Sequence, residues 1–174
     1  MKRIEMLMKD SLYLDYLDRN TAIEDKHVFC KHDLQHMIDV ARIIYILILE
    51  HNDLDFFISE AGLSSRLAAQ EVIYASGLLH DVAKWQEYET GTDHAALGAR
   101  LARDLLQKAL FDPSEIDVIA HAIYEHRNVT RDMSFLGEKV HRADNLSRFC
   151  FQCTERDDCT KYKKRETGTD YLVY

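Results

Sequence analysis

The stretch HMIDVARIIYILILE, residues 36 to 50, constrains the fold more than any other part of the chain. His36, Val40, Ile43 and Leu47 share one helical stripe, and Met37, Ile44 and Ile48 lie on the next. A helix that is apolar almost all round belongs at the centre of a fold, with other helices around it. Breakers are scarce: Pro113 is the single proline in 174 residues, and there are six glycines, so helices can run long. No segment alternates as a half-buried strand does, and there is no internal repeat. The expectation is an all-α protein in which residues 1–174 form a single helical bundle of about six helices.

The first helix is expected over residues 3–18 and the second from about residue 33 to EHNDLD. A third runs from Ser64 to Lys84. Thr92 or Asp93 caps a fourth, His94 to Leu110. Asp112 as cap, Pro113 at the first helical position and Glu115 as capping-box partner make the clearest helix start, leading to about residue 126. A last helix spans about 135–151, followed by a cysteine-bearing segment, 150–174.

Lys and Arg number 22 against 30 Asp and Glu, a net charge of −8. That balance argues against a partner such as nucleic-acid backbone or an anionic membrane. A small phosphorylated substrate remains compatible, provided cations in the site supply local positive charge. The most apolar run, IIYILIL at 43–49, is far short of the ~20 residues that span a bilayer. The opening MKRIEMLMKDSLYLDYLD breaks its apolar residues with charge, unlike a signal peptide. A cytoplasmic protein is expected, and no feature specifies an oligomeric state.

In ASGLLHDVAKW, Val72, Ala75, Leu79 and Val82 recur at helical spacing and deliver His80 and Asp81 at the end of an apolar face. A buried carboxylate is costly unless matched, so Asp81 needs either a cation or a hydrogen-bonded core partner. His36 opens its apolar stripe, where the ordinary reading is a satisfied core histidine. Asp144, in VHRADNLSR, follows Val140 and Ala143, and its ordinary reading is an ion pair with Arg148 one turn on. Singly, those ordinary readings are the stronger ones. Together the residues supply nitrogen and oxygen donors from separate helices, a mix that suits Mn²⁺, Fe²⁺, Ni²⁺ or Zn²⁺.

HMIDVARI, GLLHDVAK and RADNLSR, in the order H…HD…D, resemble the HD-domain superfamily of metal-dependent phosphohydrolases over roughly residues 27–150. Ala83 stands where many members have glycine. In KHDLQH, Val40 and Ala41 match the family pattern after His36, which also lies on the buried stripe, so His36 is the assigned ligand. His32 then supports the site from behind or faces the substrate. Members with two metals show H…HD…H…H…D, and His36, His80, Asp81, His94, His126 and Asp144 reproduce that order, with Asp81 as the bridge. The alternative is a single metal, with His94 and His126 on the substrate phosphate. A family member's usual second histidine is here Arg127. The resemblance implies hydrolysis of a small phosphate ester, a nucleotide, by a metal-activated water, with Lys84 and then Arg127 as phosphate contacts. Lys84 as a plain surface lysine is the alternative. The superfamily also implies two other readings, a di-iron oxygenase and a non-catalytic nucleotide or redox sensor.

Four cysteines without a secretion signal favour thiolate chemistry or metal binding over disulfides. Cys30 lies six residues before His36, and Cys150 six after Asp144. If those ligands meet on antiparallel helices, the two cysteines emerge at the same end of the bundle. Cys30, Cys150, Cys153 and Cys159 are therefore a candidate four-cysteine site for structural zinc or a [4Fe–4S] cluster. The combined pattern resembles a clostridial-type subgroup of HD-domain proteins.

Overall fold

The computed structural model describes residues 1–25 and 30–163, and these contain helix and no strand. The helices are α1 (Lys2–Lys9), α2 (Ser11–Glu24), α3 (Leu34–Glu50), α4 (Leu54–Glu60), α5 (Arg66–Leu79), α6 (Lys84–Thr90), α7 (His94–Lys108), α8 (Pro113–Glu125), α9 (Phe135–Leu146) and α10 (Thr160–Lys163). Six of them, α2, α3, α5, α7, α8 and α9, are 12 residues or longer. The expected all-α bundle is what the chain forms.

α3 packs between α5 and α9, and α8 packs between α7 and α9. Met37, Val40, Ala41, Ile44, Leu47 and Ile48 are wholly buried, while Ile46 and Leu49 on the remaining flank of α3 stay exposed. The crossing with α5 is close because residue 77 is glycine: a Cβ there would meet the N, Cα and Cβ of Ala41. Arg3 ties the N-terminal helix to this core. It donates to buried Glu71 (Nε to Oε2, 2.6 Å) and pairs with buried Glu115, over the ring of Phe111.

α2 runs on to Glu24 rather than ending near 18, and α4 is an additional short helix; three further boundaries differ from expectation for a local polar reason. The first helix breaks at Asp10, whose carboxylate caps α2 by accepting from Leu12 N at 2.8 Å. The third ends at Leu79, and His80–Ala83 make a turn before α6. Buried Asn20 holds that turn, donating to the Asp81 carbonyl at 3.0 Å and accepting from Trp85 N at 2.7 Å. The last helix stops at Leu146, where Ser147 Oγ donates back to the Asp144 carbonyl, and Cys150–Gln152 form a separate 3-10 turn. The remaining starts follow the sequence signals. Asp93 caps α7, and Asp112 N donates to Glu115 Oε2 at 2.9 Å behind Pro113. No described helix is long and apolar enough to cross a membrane.

Candidate metal centre

Four helix ends and one turn bring the expected polar residues to one buried place. His36 stands in the first turn of α3, His80 and Asp81 in the turn after α5, and His94 at the first residue of α7. His126 follows α8, and Asp144 lies near the end of α9. Two groups of ligand-type atoms result, each within 4.8 Å of one another: His36, His80, Asp81 and Asp144, and then Asp81, His94 and His126. Asp81 belongs to both because its two oxygens face different ways. Oδ2 lies 3.1 Å from His80 Nε2 and 3.7 Å from His36 Nε2. Oδ1 lies 2.8 Å from His94 Nε2 and 3.5 Å from His126 Nε2. Asp144 Oδ1 closes the first group, 3.4 Å from His36 Nε2 and 3.7 Å from His80 Nε2.

The outer nitrogen of each ring is engaged away from the centre. His80 Nδ1 donates to the Gly77 carbonyl at 2.8 Å and His126 Nδ1 to the Ile123 carbonyl at 2.6 Å. Ser147 Oγ spends its proton on the Asp144 carbonyl, so it accepts from His36 Nδ1 at 3.3 Å. His94 Nδ1 meets the carboxylate of Glu87. A neutral imidazole that donates at Nδ1 presents a lone pair at Nε2. In the neutral form of these rings the lone pairs converge on one place, and Nε2 of His36 and His80 and Oδ1 of Asp81 are buried without a hydrogen-bond partner. Imidazoles fixed from outside, with bare nitrogens facing inward, are the arrangement of metal ligands, and a divalent ion fits this donor set.

The charges agree. Burial pushes both carboxyls up, yet His80, His32 and His94 hold Asp81 well below the usual range, and Arg148, His36 and His80 do the same for Asp144. Burial disfavours a charged His80, but Asp81 and Asp144 outweigh it and lift the imidazole to about 10. A proton there balances two buried carboxylates, and a divalent ion held by the same residues would take over that role and leave Nε2 as a donor atom. The ordinary reading of Asp144 is also realised: Arg148 Nη2 donates to Oδ1 at 2.6 Å, so the carboxylate has a cationic partner besides the two imidazoles.

His32 is buried and belongs to neither group. Its Nε2 lies 3.5 Å from Asp81 Oδ2 without a hydrogen-bond partner, and its Nδ1 is held by the buried carboxylate of Glu24. Glu24 also accepts from the His32 backbone at 2.6 Å and from Tyr88 Oη at 2.9 Å. Lys84 is buried rather than a surface lysine, and its Nζ donates to Glu87 Oε2 at 2.6 Å. Arg127 Nη1 reaches the other oxygen of Glu87 at 2.8 Å. Burial raises the Glu87 carboxyl, but Lys84, His94 and Arg127 prevail and hold it at about 2. Asn20, Glu24 and Glu87 are the residues that sequence reasoning missed. Glu87 alone had a local signal, its i,i+3 spacing from Lys84. His121 is exposed beside Glu125, away from the centre, and His141 donates to the His126 carbonyl at 2.8 Å.

Cys30, Cys150, Cys153 and Cys159 all lie among the described residues. Among the described residues no disulfide forms, and neither group of three or more ligand-type atoms within 4.8 Å contains a cysteine. Cys30 does reach the end of the bundle where Cys150 lies, since its side chain contacts Arg148, two residues before Cys150. α9 stops at Leu146, and Cys153 and Cys159 each follow a 3-10 turn beyond it.

A helical bundle that gathers histidines and aspartates from separate helices around a His-Asp turn defines a class, and the HD domain model matches residues 33–148. The chain belongs to the HD domain family. It is 33% identical over 159 residues to an uncharacterized protein of Clostridium beijerinckii, covering 91% of this chain and 92% of that one. It is 28% identical over 114 residues to ribonuclease Y of Lactobacillus gasseri, covering 66% of this chain and 17% of that enzyme. It is 32% identical over 109 residues to a bifunctional uridylyltransferase/uridylyl-removing enzyme of Thiobacillus denitrificans, covering 58% of this chain and 12% of that enzyme. No solved structure matches the chain.

Proposed function

We propose that the chain is a metal-dependent phosphohydrolase acting on a small phosphate ester of the nucleotide class, with Asp81 shared between two divalent ions. The observation that carries this reading is the split carboxylate, one oxygen toward His36 and His80, the other toward His94 and His126. His36, His80, Asp81 and Asp144 would hold the first ion and Asp81, His94 and His126 the second, from among Mn, Fe, Ni and Zn. When bound, such an ion supplies Lewis acidity that brings the pKa of water from about 15.7 toward ~7 at the site. Lys84 and Arg127, joined through Glu87 beside His94, would take the phosphoryl oxygens, while Arg148 is committed to Asp144. They supply the local positive charge that a chain of net charge −8 requires for an anionic substrate. His32, fixed by Glu24, with Nε2 3.5 Å from Asp81 Oδ2 and outside both ligand groups, would contact the attacking water or the substrate rather than an ion. The nucleotide class draws support from relatives named for ribonuclease and uridylyl-removing activities.

The test is elemental analysis of the purified protein with a phosphate-release screen over nucleoside monophosphates, triphosphates and cyclic nucleotides in added Mn²⁺. Asp81→Ala should lose metal uptake and phosphate release together, and activity retained in that variant would sink the assignment. The same six residues also suit a di-iron oxygenase. Iron retained anaerobically, with O₂ uptake and no phosphate release, would favour that second reading.

A further inference from the structure

Of the four imidazoles in the two groups, His94 is the one whose outer nitrogen is backed by a side-chain carboxylate. The others rest on the Gly77 and Ile123 carbonyls and on the Ser147 hydroxyl. Besides Glu87, His94 Nδ1 has two cationic neighbours, Arg127 Nη1 at 3.1 Å and Lys84 Nζ at 3.5 Å. Guanidinium and ammonium are donors only. Left alone with them, Nδ1 would accept, and a neutral ring that accepts at Nδ1 carries its proton on Nε2. That proton would find a ready acceptor in Asp81 Oδ1, 2.8 Å away. The alternative tautomer is therefore self-consistent, and it covers the lone pair that a second ion needs.

Glu87 reverses this preference. It accepts the Nδ1 proton and draws both cations to its own oxygens, at 2.6 and 2.8 Å, leaving the Nε2 lone pair turned toward Asp81 Oδ1 and, at 3.3 Å, His126 Nε2. We propose that Glu87 is the positioning residue that sets the tautomer of His94 and thereby opens the second ion site. The proposal rests on the two-ion reading above, but the tautomer can be read in metal-free protein.

The experiment compares the full chain with Glu87→Ala, Glu87→Gln and Glu87→Ala/Arg127→Ala, using Mn²⁺ titration calorimetry and imidazole ¹⁵N shifts of the metal-free proteins. The unsubstituted protein should take two Mn²⁺ and show His94 protonated at Nδ1. Glu87→Ala should keep the first ion, bind the second ~10–100-fold more weakly, as loss of an outer partner does, and move the His94 proton to Nε2. Glu87→Gln keeps an accepting oxygen and should fall between the two, which covers the case of an alanine variant that does not fold. Removing Arg127 from Glu87→Ala takes away the nearer competing donor and should recover part of the second affinity, which a mere packing defect would not. Wild-type affinity for the second ion in Glu87→Ala, an unmoved Nδ1 proton, or no recovery in the double variant would each overturn the proposal. If the unsubstituted protein binds one ion only, the two-ion reading fails, and the ¹⁵N shifts still decide the role of Glu87.

Discussion

Gly77→Ala tests the link between packing and the candidate centre. A Cβ on residue 77 would come within 2.6 Å of Ala41 N and 2.7 Å of Ala41 Cβ, and closer still to Ala41 Cα. Carbon pairs settle at about 3.5–4.0 Å, so α3 and α5 must part by about 1 Å where they cross. No rotamer offers an escape, because the atoms met are backbone and a methyl group. Such overpacking costs about 1–3 kcal/mol, and the helix propensity of alanine returns about 1 kcal/mol. The net loss of roughly 0–2 kcal/mol corresponds to a Tm fall of up to ~8 °C in a chain of this size. Metal affinity should respond more strongly. His36 lies five residues before Ala41 and His80 three after Gly77, so parting the helices separates the two imidazoles that share Asp81 Oδ2. A shift of about 1 Å is several times the ~0.2 Å tolerance of metal–ligand bonds. Mn²⁺ binding at the first site should weaken at least ~10-fold by calorimetry, a loss comparable to that of an outer partner. Adding Ala41→Gly removes one of the three clashing atoms and should recover only part. A Gly77→Ala protein with unchanged Mn²⁺ affinity would refute the reasoning, whatever its Tm.

Asn20→Ala should cost roughly 2–5 kcal/mol, since it strands the Asp81 carbonyl and the Trp85 N–H, and chemical denaturation measures it. An unaltered midpoint would mean that the turn is held by something else. Arg3→Ala leaves Glu71 and Glu115 buried without their shared partner and should cost about 3–5 kcal/mol; a loss below ~1 kcal/mol in the same denaturation would show the network to be incidental. His32→Ala should retain the wild-type metal content by elemental analysis while kcat falls ~10²–10⁴-fold. Loss of a metal equivalent would make His32 a ligand instead.

Legibility from sequence followed the range of each interaction. The stripe from His36 to Leu47 and the Pro113 helix start are local patterns, and the fold could be anticipated from them; the gathering of His36, His80, Asp81, His94, His126 and Asp144 was implied by the resemblance of their order to the HD-domain superfamily. The break at His80–Ala83 could not be anticipated, because helical spacing continues through Val82 and the cause is Asn20, some sixty residues upstream. Glu24 behind His32 is similar: a glutamate at the end of a polar-sided helix carries no mark of burial until the chain folds back over it. The end of α9 is a third case: its pattern pointed to about residue 151, and a serine hydroxyl bonding to its own helix ends it at Leu146, five residues earlier.

The His80 and His126 rings each do a second job, since Nδ1 of each bonds the carbonyl three residues earlier at the terminus of α5 or α8. A ring seized by an ion is thus also a clasp on the final turn of its helix. Loading the centre should slow amide hydrogen exchange at both termini together, and chelation should release them together, far from any surface contact with solvent metal.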